Sequence, residues 1–185
     1  MEKKFKIFKL NIKPKIVVIT GAESTGKSTL TEQLATHFGS LFIPEIARSY
    51  VEGLNRKYTF DDVEQIAKLQ VENLNEICKQ TSPFVFVDTW LIITKVWFEF
   101  VYSKTPGWLI DEIKKTRIDL FLVCDTDLPW IYDPVRENGG ENRNILQNLY
   151  IKNIAEFGFN YKVVQGSGNE RLSNAIQFVN ELNKT

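Results

Sequence analysis

The chain has 185 residues, 43% hydrophobic and 25% charged, with 23 basic residues against 23 acidic ones. That length suits one domain able to bury roughly 70% of its unfolded surface, and zero net charge gives no general pull toward nucleic acid or anionic membrane. No stretch has the apolar length of a membrane span or signal-peptide core, and Cys78 and Cys124 form neither a C-x-x-C pair nor a zinc spacing. The expectation is a cytoplasmic protein with free thiols.

Residues 1–14 read as a basic extension preceding a domain over 15–185. Lys3, Lys4, Lys6, Lys9 and Lys13 are interleaved with Phe5, Ile7, Phe8, Leu10 and Ile12. That pattern fits an edge strand or a solvated lead-in better than a basic contact arm, because lysine commonly guards strand edges. The run Lys15–Thr20 is strand-like, and Gly21-Ala22-Glu23-Ser24-Thr25-Gly26-Lys27-Ser28 follows it directly. This is a complete Gly-x-x-x-x-Gly-Lys-Ser phosphate loop between a strand and a helix-like segment that starts at Ser28 and Thr29. Its glycines let backbone N–H groups cradle phosphates, its lysine reaches the β- and γ-phosphates, and its serine hydroxyl can ligate Mg²⁺. A nucleoside triphosphate, ATP with Mg²⁺, is the expected ligand.

Further along, Leu30, Leu34 and Phe38 recur at helical spacing, and Leu41–Ile43 makes a short strand. A helix follows a Thr59 N-cap, with Val63, Ile66, Ala67, Leu74, Ile77 and Cys78 on one face. Buried strands are expected over 83–88, 118–124 and Tyr161–Val164, separated by helices marked by Leu146, Leu149, Ile154 and Phe157 and by Leu172, Ala175, Ile176, Val179 and Leu182. Near-continuous Val, Ile, Leu and Phe in such runs is what a helix-covered parallel sheet requires. The fold class is α/β: a P-loop NTPase of the nucleotide- or nucleoside-kinase type, with a five-stranded parallel sheet flanked by helices. The segment 125–143, with Pro129, Pro134, Gly139 and Gly140, is a candidate lid.

The chemistry concentrates at strand ends. Asp88 closes the third strand and can hold the metal's hydration shell or the acceptor hydroxyl, or simply cap the next helix. Glu45 and Arg48 follow the second strand, three apart on one incipient helix face. They can face an acceptor, Glu45 as proton acceptor, or form a surface ion pair. Arg136 and Arg143, in the candidate lid, are the cations placed to meet a transferring phosphoryl group, or else solvated partners of Glu137 and Glu141. Trp90 and Trp97 can share a helix face, while Trp108 and Trp130 flank loops where a base can stack. Arg171, after Gly166-Ser167-Gly168, either stacks on the nucleotide base or is solvated.

Four segments in this order carry a family resemblance: 21–30 (Gly-Ala-Glu-Ser-Thr-Gly-Lys-Ser-Thr-Leu), 43–50 (Ile-Pro-Glu-Ile-Ala-Arg-Ser-Tyr), 88–97 and 127–136. Together, with Tyr58, Asp61-Asp62, Ile66-Ala67 and Gln70, they resemble the ribosylnicotinamide kinase domain of NadR-type proteins. The resemblance implies ATP-dependent phosphorylation of the nicotinamide riboside 5′-hydroxyl, giving nicotinamide mononucleotide. Alternatives from the residues themselves are another nucleoside or nucleotide kinase, or a nucleotide-dependent switch or binding module. It implies ATP and Mg²⁺ at Gly21, Ala22, Glu23, Ser24, Thr25, Gly26, Lys27, Ser28 and Thr29, with Arg143 and Arg171 nearby. It places Glu45, Arg48, Asp88, Thr89, Trp97, Trp130 and Asp133 around the acceptor, and Ser28 and Asp88 at the metal. Catalysis would fall to Lys27, Glu45, Asp88 and Arg136, with the choice of base between Glu45 and Asp88 open. The chain departs from the family at Trp90, where a second acid is usual, and over 133–137, Asp-Pro-Val-Arg-Glu instead of Asp-Gly-Leu-Arg-Asp. The expected partners are the nucleoside and ATP, with no nucleic acid and no membrane; no oligomeric state follows.

Overall fold

The computed structural model describes residues 13–131 and 141–184, the Glu141 side chain excepted. Asp133, Pro134, Arg136 and the extension over 1–12 lie outside the described residues. The elements run β1 (Lys15–Thr20), α1 (Lys27–Phe38), β2 (Leu41–Ile43), α2 (Ile46–Glu52), α3 (Phe60–Ile77), β3 (Phe84–Asp88), α4 (Leu91–Tyr102), α5 (Gly107–Lys115), β4 (Leu120–Cys124), α6 (Glu141–Glu156), β5 (Tyr161–Val164) and α7 (Gly168–Glu181). All five strands are parallel, in the order β2-β3-β1-β4-β5.

The apolar strand runs divide cleanly by the two-residue period of a pleat. Val17, Ile19, Phe84, Phe86, Leu120 and Leu122 face α1 and α7, meeting Leu30, Leu34, Ala35, Ala175 and Val179. Val18, Val85, Val87, Phe121 and Val123 face the other way, onto Val63, Ala67, Leu91, Phe98, Leu109, Ile113 and Ile154 from α3, α4, α5 and α6. Burial of each such side chain contributes about 1.5–3 kcal/mol, which is why continuous apolar runs suit a sheet covered on both faces.

Two strands start later than the sequence suggests. Pro83 has no N–H to offer a ladder and supplies only its carbonyl, to Lys15, so β3 begins at Phe84. Asp119 uses its side chain, accepting from the Ile16 N–H at 2.8 Å, so β4 begins at Leu120. Trp108 lies inside α5 instead of flanking a loop, and its indole N–H donates to Glu64 at 2.8 Å. Both cysteines are free thiols, and Cys124 is buried. Among the described residues no helix is long and apolar enough to cross a membrane.

Parallel pairing lines up the carboxyl ends. Ile19 of β1 pairs with Asp88, and Thr20 pairs with Val123 of β4. The Thr89 N–H continues the ladder to the Ile19 carbonyl at 2.9 Å. The end of β3 therefore stands immediately beside the loop that leaves β1, the position where open α/β sheets hold ligands.

Candidate active site

Gly21 has φ 136°, and a Cβ there would lie 2.6 Å from the Cys124 carbonyl oxygen. Only glycine lets the loop cross the end of β4 so closely. Ser24 and Gly26 are also left-handed, at φ 55° and 75°, and such reversals build the concave N–H nest that anions occupy. Helix α1 starts at Lys27 with no side-chain cap, so its first-turn donors have no intrahelical partner. Glu23, Ser24, Thr25, Gly26, Lys27, Ser28 and Thr29 line a hollow shared with Glu45 and Arg48.

The carbonyls of this loop are held both by its own side chains and from outside. Ala22 O accepts from the Thr25 hydroxyl at 2.8 Å and the Lys27 ammonium at 2.9 Å. Arg143 donates Nε to Glu23 O at 2.9 Å, Nη2 to Ser24 O at 3.0 Å and Nη1 to Leu128 O at 2.7 Å. Arg171 donates Nη1 to Thr25 O at 3.0 Å and Nε to Gly166 O at 2.7 Å, and it forms an ion pair with Asp127. Gln147 accepts from the Ala22 N–H and donates to Cys124 O, both at 2.9 Å. Ser24 Oγ bonds both the N–H and the carbonyl of Ile131, at 3.2 and 3.1 Å.

This corrects two expectations. Arg143, 7% exposed, is not a solvated arginine; it braces the back of the phosphate loop and does not line the phosphate hollow. Arg171, 4% exposed, is not solvated either, and it too lies outside the lining of that hollow. Gln147 escaped the sequence reading. The signal was present: Arg143 and Gln147 are four apart in α6, beside the inward-facing Leu146 and Tyr150, a polar pair on a buried helix stripe.

Asp88 is 2% exposed, and both its oxygens lack a hydrogen-bond partner among the described residues. Burial pushes its carboxyl up to about 6, while Lys27 and the nearby Ser28 hydroxyl pull it down and Glu45 and Glu32 push it further up. The Ser28 hydroxyl does this without reaching hydrogen-bond geometry. Asp88 does not cap α4, whose N-cap is Trp90 with no side-chain bond. An orphaned buried carboxylate is expensive unless something else satisfies it. Thr89 follows with φ 66°, a strained conformation for a β-branched residue, at the point where the chain turns toward the cavity.

That cavity is lined by Gly21, Glu23, Lys27 and Glu45 at one end, Arg48, Tyr58, Thr89, Thr94 and Trp97 along its walls, and Tyr150 on α6. Tyr58 and Trp97 have ring centroids 6.3 Å apart. Tyr150 is buried, which raises its hydroxyl pKa, and the Glu23 and Glu45 charges add to that rise. Arg48 pairs with Glu52 at 3.3 Å, one turn on. The structure thus brings Lys27, Glu45, Arg48, Thr89 and Trp97 to one cavity, with Asp88 against its Lys27 end. Trp130 is half-buried but lines neither hollow. Thr94 and Tyr150 join the cavity without having been marked as site residues, because their place depends on the packing of α4 and α6; Tyr58, named above only for the family resemblance, joins them from the α2–α3 connection.

A five-stranded parallel sheet with this loop between β1 and α1 defines a P-loop domain. The AAA domain family matches residues 16–171, and the chain belongs to that family. The chain is 26% identical over 172 residues to the trifunctional NAD biosynthesis/regulator protein NadR of Salmonella typhimurium strain LT2, covering 90% of this chain and 42% of NadR. Among solved structures it resembles NadR in complex with NR, with TM-score 0.73 and 25% identity, covering 94% of this chain and 52% of that one. It also resembles NadR in complex with NAD and AMP-PNP, with TM-score 0.71 and 26% identity, covering 92% and 50%. The chain therefore spans about half the length of these relatives.

Proposed function

We propose that this protein is a nucleoside kinase that transfers the γ-phosphoryl group of ATP to the 5′-hydroxyl of nicotinamide riboside. The observation that carries the reading is Asp88: a buried carboxylate with no hydrogen-bond partner among the described residues, beside the Lys27 end of an aromatic-walled cavity. A switch protein has no use for such a cavity; an alcohol acceptor does. NR bound to a NadR structure, and AMP-PNP to another, support the choice of acceptor and donor.

In the proposed reaction the loop N–H groups and Lys27 hold the β- and γ-phosphates. The nucleoside lies against the Tyr58 and Trp97 side of the cavity, where a flat cationic ring finds π-faces. The 5′-oxygen forms a bond to the γ-phosphorus as the bond from that phosphorus to the β–γ bridging oxygen breaks. ADP leaves with that oxygen, and the hydroxyl proton passes to Glu45 or Asp88. Lys27 offsets the charge that develops on the phosphoryl oxygens. The residues fit Mg²⁺: Asp88 carries unsatisfied oxygens, Ser28 presents its hydroxyl to the phosphate hollow, and magnesium typically takes only one or two protein ligands beside phosphates. When bound, the ion would neutralise phosphate charge.

Product identification by mass spectrometry after incubation with nicotinamide riboside and Mg-ATP tests the proposal. A mononucleotide product is expected. A second reading, a neutral nucleoside as acceptor, draws on Trp90, which is buried and lines neither hollow, so the family's second acid has no substitute at that position. Phosphorylation of thymidine but not of nicotinamide riboside would select it.

A further inference from the structure

Asp62 carries more hydrogen bonds than its helix needs. It is 5% exposed and sits at the third position of α3. The capping box accounts for its bond from the Thr59 N–H at 2.7 Å and the return bond to Thr59 Oγ1. Beyond the box, Arg56 donates both terminal nitrogens, at 2.6 and 2.9 Å, a bidentate clasp, and the Tyr50 hydroxyl donates at 3.2 Å. The Thr59 hydroxyl adds a further bond at 2.7 Å.

These partners come from separate pieces of the cavity wall. Tyr50 is on α2, which lends Ala47, Arg48 and Val51 to the cavity. Arg56 and Thr59 flank Tyr58 in the connection from α2 to α3. Asp62 itself precedes Val63 and Ile66, which also line the cavity. None of Tyr50, Arg56, Thr59 or Asp62 lines it.

We infer that Asp62 is a positioning residue for the acceptor: through Arg56 and Tyr50 it locks the α2–α3 connection so that Tyr58 stands opposite Trp97. This rests on the kinase reading above. Charged, bidentate bonds of this kind fix geometry as well as energy. Hydrogen bonds from Arg56 and Thr59 hold the Asp62 carboxyl well below the usual carboxylate range, so the lock stays charged at any ordinary assay pH.

The test uses Arg56→Gln and Tyr50→Phe, which remove the extra bonds and leave the capping box whole. The KM of whichever nucleoside the wild type turns over should rise roughly five- to ten-fold in each, with ATP KM and kcat within about two-fold. The double variant should lose less than the product of the single effects, since both act through one carboxylate. A lower melting temperature with unchanged nucleoside KM would reduce Asp62 to a helix cap and overturn the inference. Amide exchange over 53–59 gives a readout independent of acceptor: faster exchange in both variants supports the lock, and unchanged protection overturns it. Failure of the wild type to phosphorylate nicotinamide riboside speaks only to the choice of acceptor.

Discussion

Asp88 is held at odds with stability. Its pKa in the folded chain, about 6, lies above the ordinary value of 3.8. The folded state therefore binds the proton more tightly than the unfolded state, and stability falls as pH rises from about 4 to about 6, staying lowered above that. A rise from 3.8 to about 6 corresponds to about 3 kcal/mol. Asp88→Asn should raise the melting temperature by several degrees at pH 7.5, with the gain vanishing below about pH 4, while turnover falls at least about a hundred-fold. Scanning calorimetry at both pH values, set beside kinetics, checks both halves; a variant that is inactive and less stable at pH 7.5 contradicts the account. In the wild type, the acid limb of kcat/KM should rise with pH through about 6 as the carboxylate ionises. Gly21 answers to sterics alone. Gly21→Ala puts a methyl group against the Cys124 backbone at 2.6 Å, and it should displace the loop and abolish ATP binding, as read by titration calorimetry.

Among the elements, α6 carries Arg143 from the end of the candidate lid segment onto the back of the phosphate loop. Arg143 spans two loop carbonyls and Leu128, and Gln147 ties Ala22 to the end of β4, so hydrogen bonds from α6 fix the shape of the phosphate loop. Arg143→Lys keeps the charge but loses the fork. ATP KM should rise about ten-fold, in keeping with bonds worth 1.5–3 kcal/mol, while nucleoside KM changes little. Equal changes in both constants would argue against a local brace. The strands, the loop and the Thr59 cap were legible because each rests on local pattern: buried runs, glycines at fixed offsets, a hydroxyl three residues before an acid. The roles of Arg143 and Arg171 were not, since charge and loop position say nothing about which carbonyls lie within reach. Helix α5 was hidden by the Pro106-Gly107 entry, which reads as a turn although proline suits a helix start. The cavity wall depended on α3, α4 and α6 meeting, and no spacing within one element records that.

For the molecule as a whole, ligand binding should appear as stability. ATP at about a hundred times its Kd stabilises by about 2.7 kcal/mol, roughly 5–11 °C in a chain of this size. Lys27→Ala should lose most of that shift in a thermal melt. A retained shift would mean that the triphosphate binds elsewhere. The phosphate hollow and the aromatic cavity share Glu23, Lys27, Glu45 and Arg48 as a common partition. Under the reaction proposed above, donor and acceptor would meet these same four side chains, so any factor by which one tightens the other is returned in the opposite direction. The abundance of either compound would then govern how much of the other the protein retains.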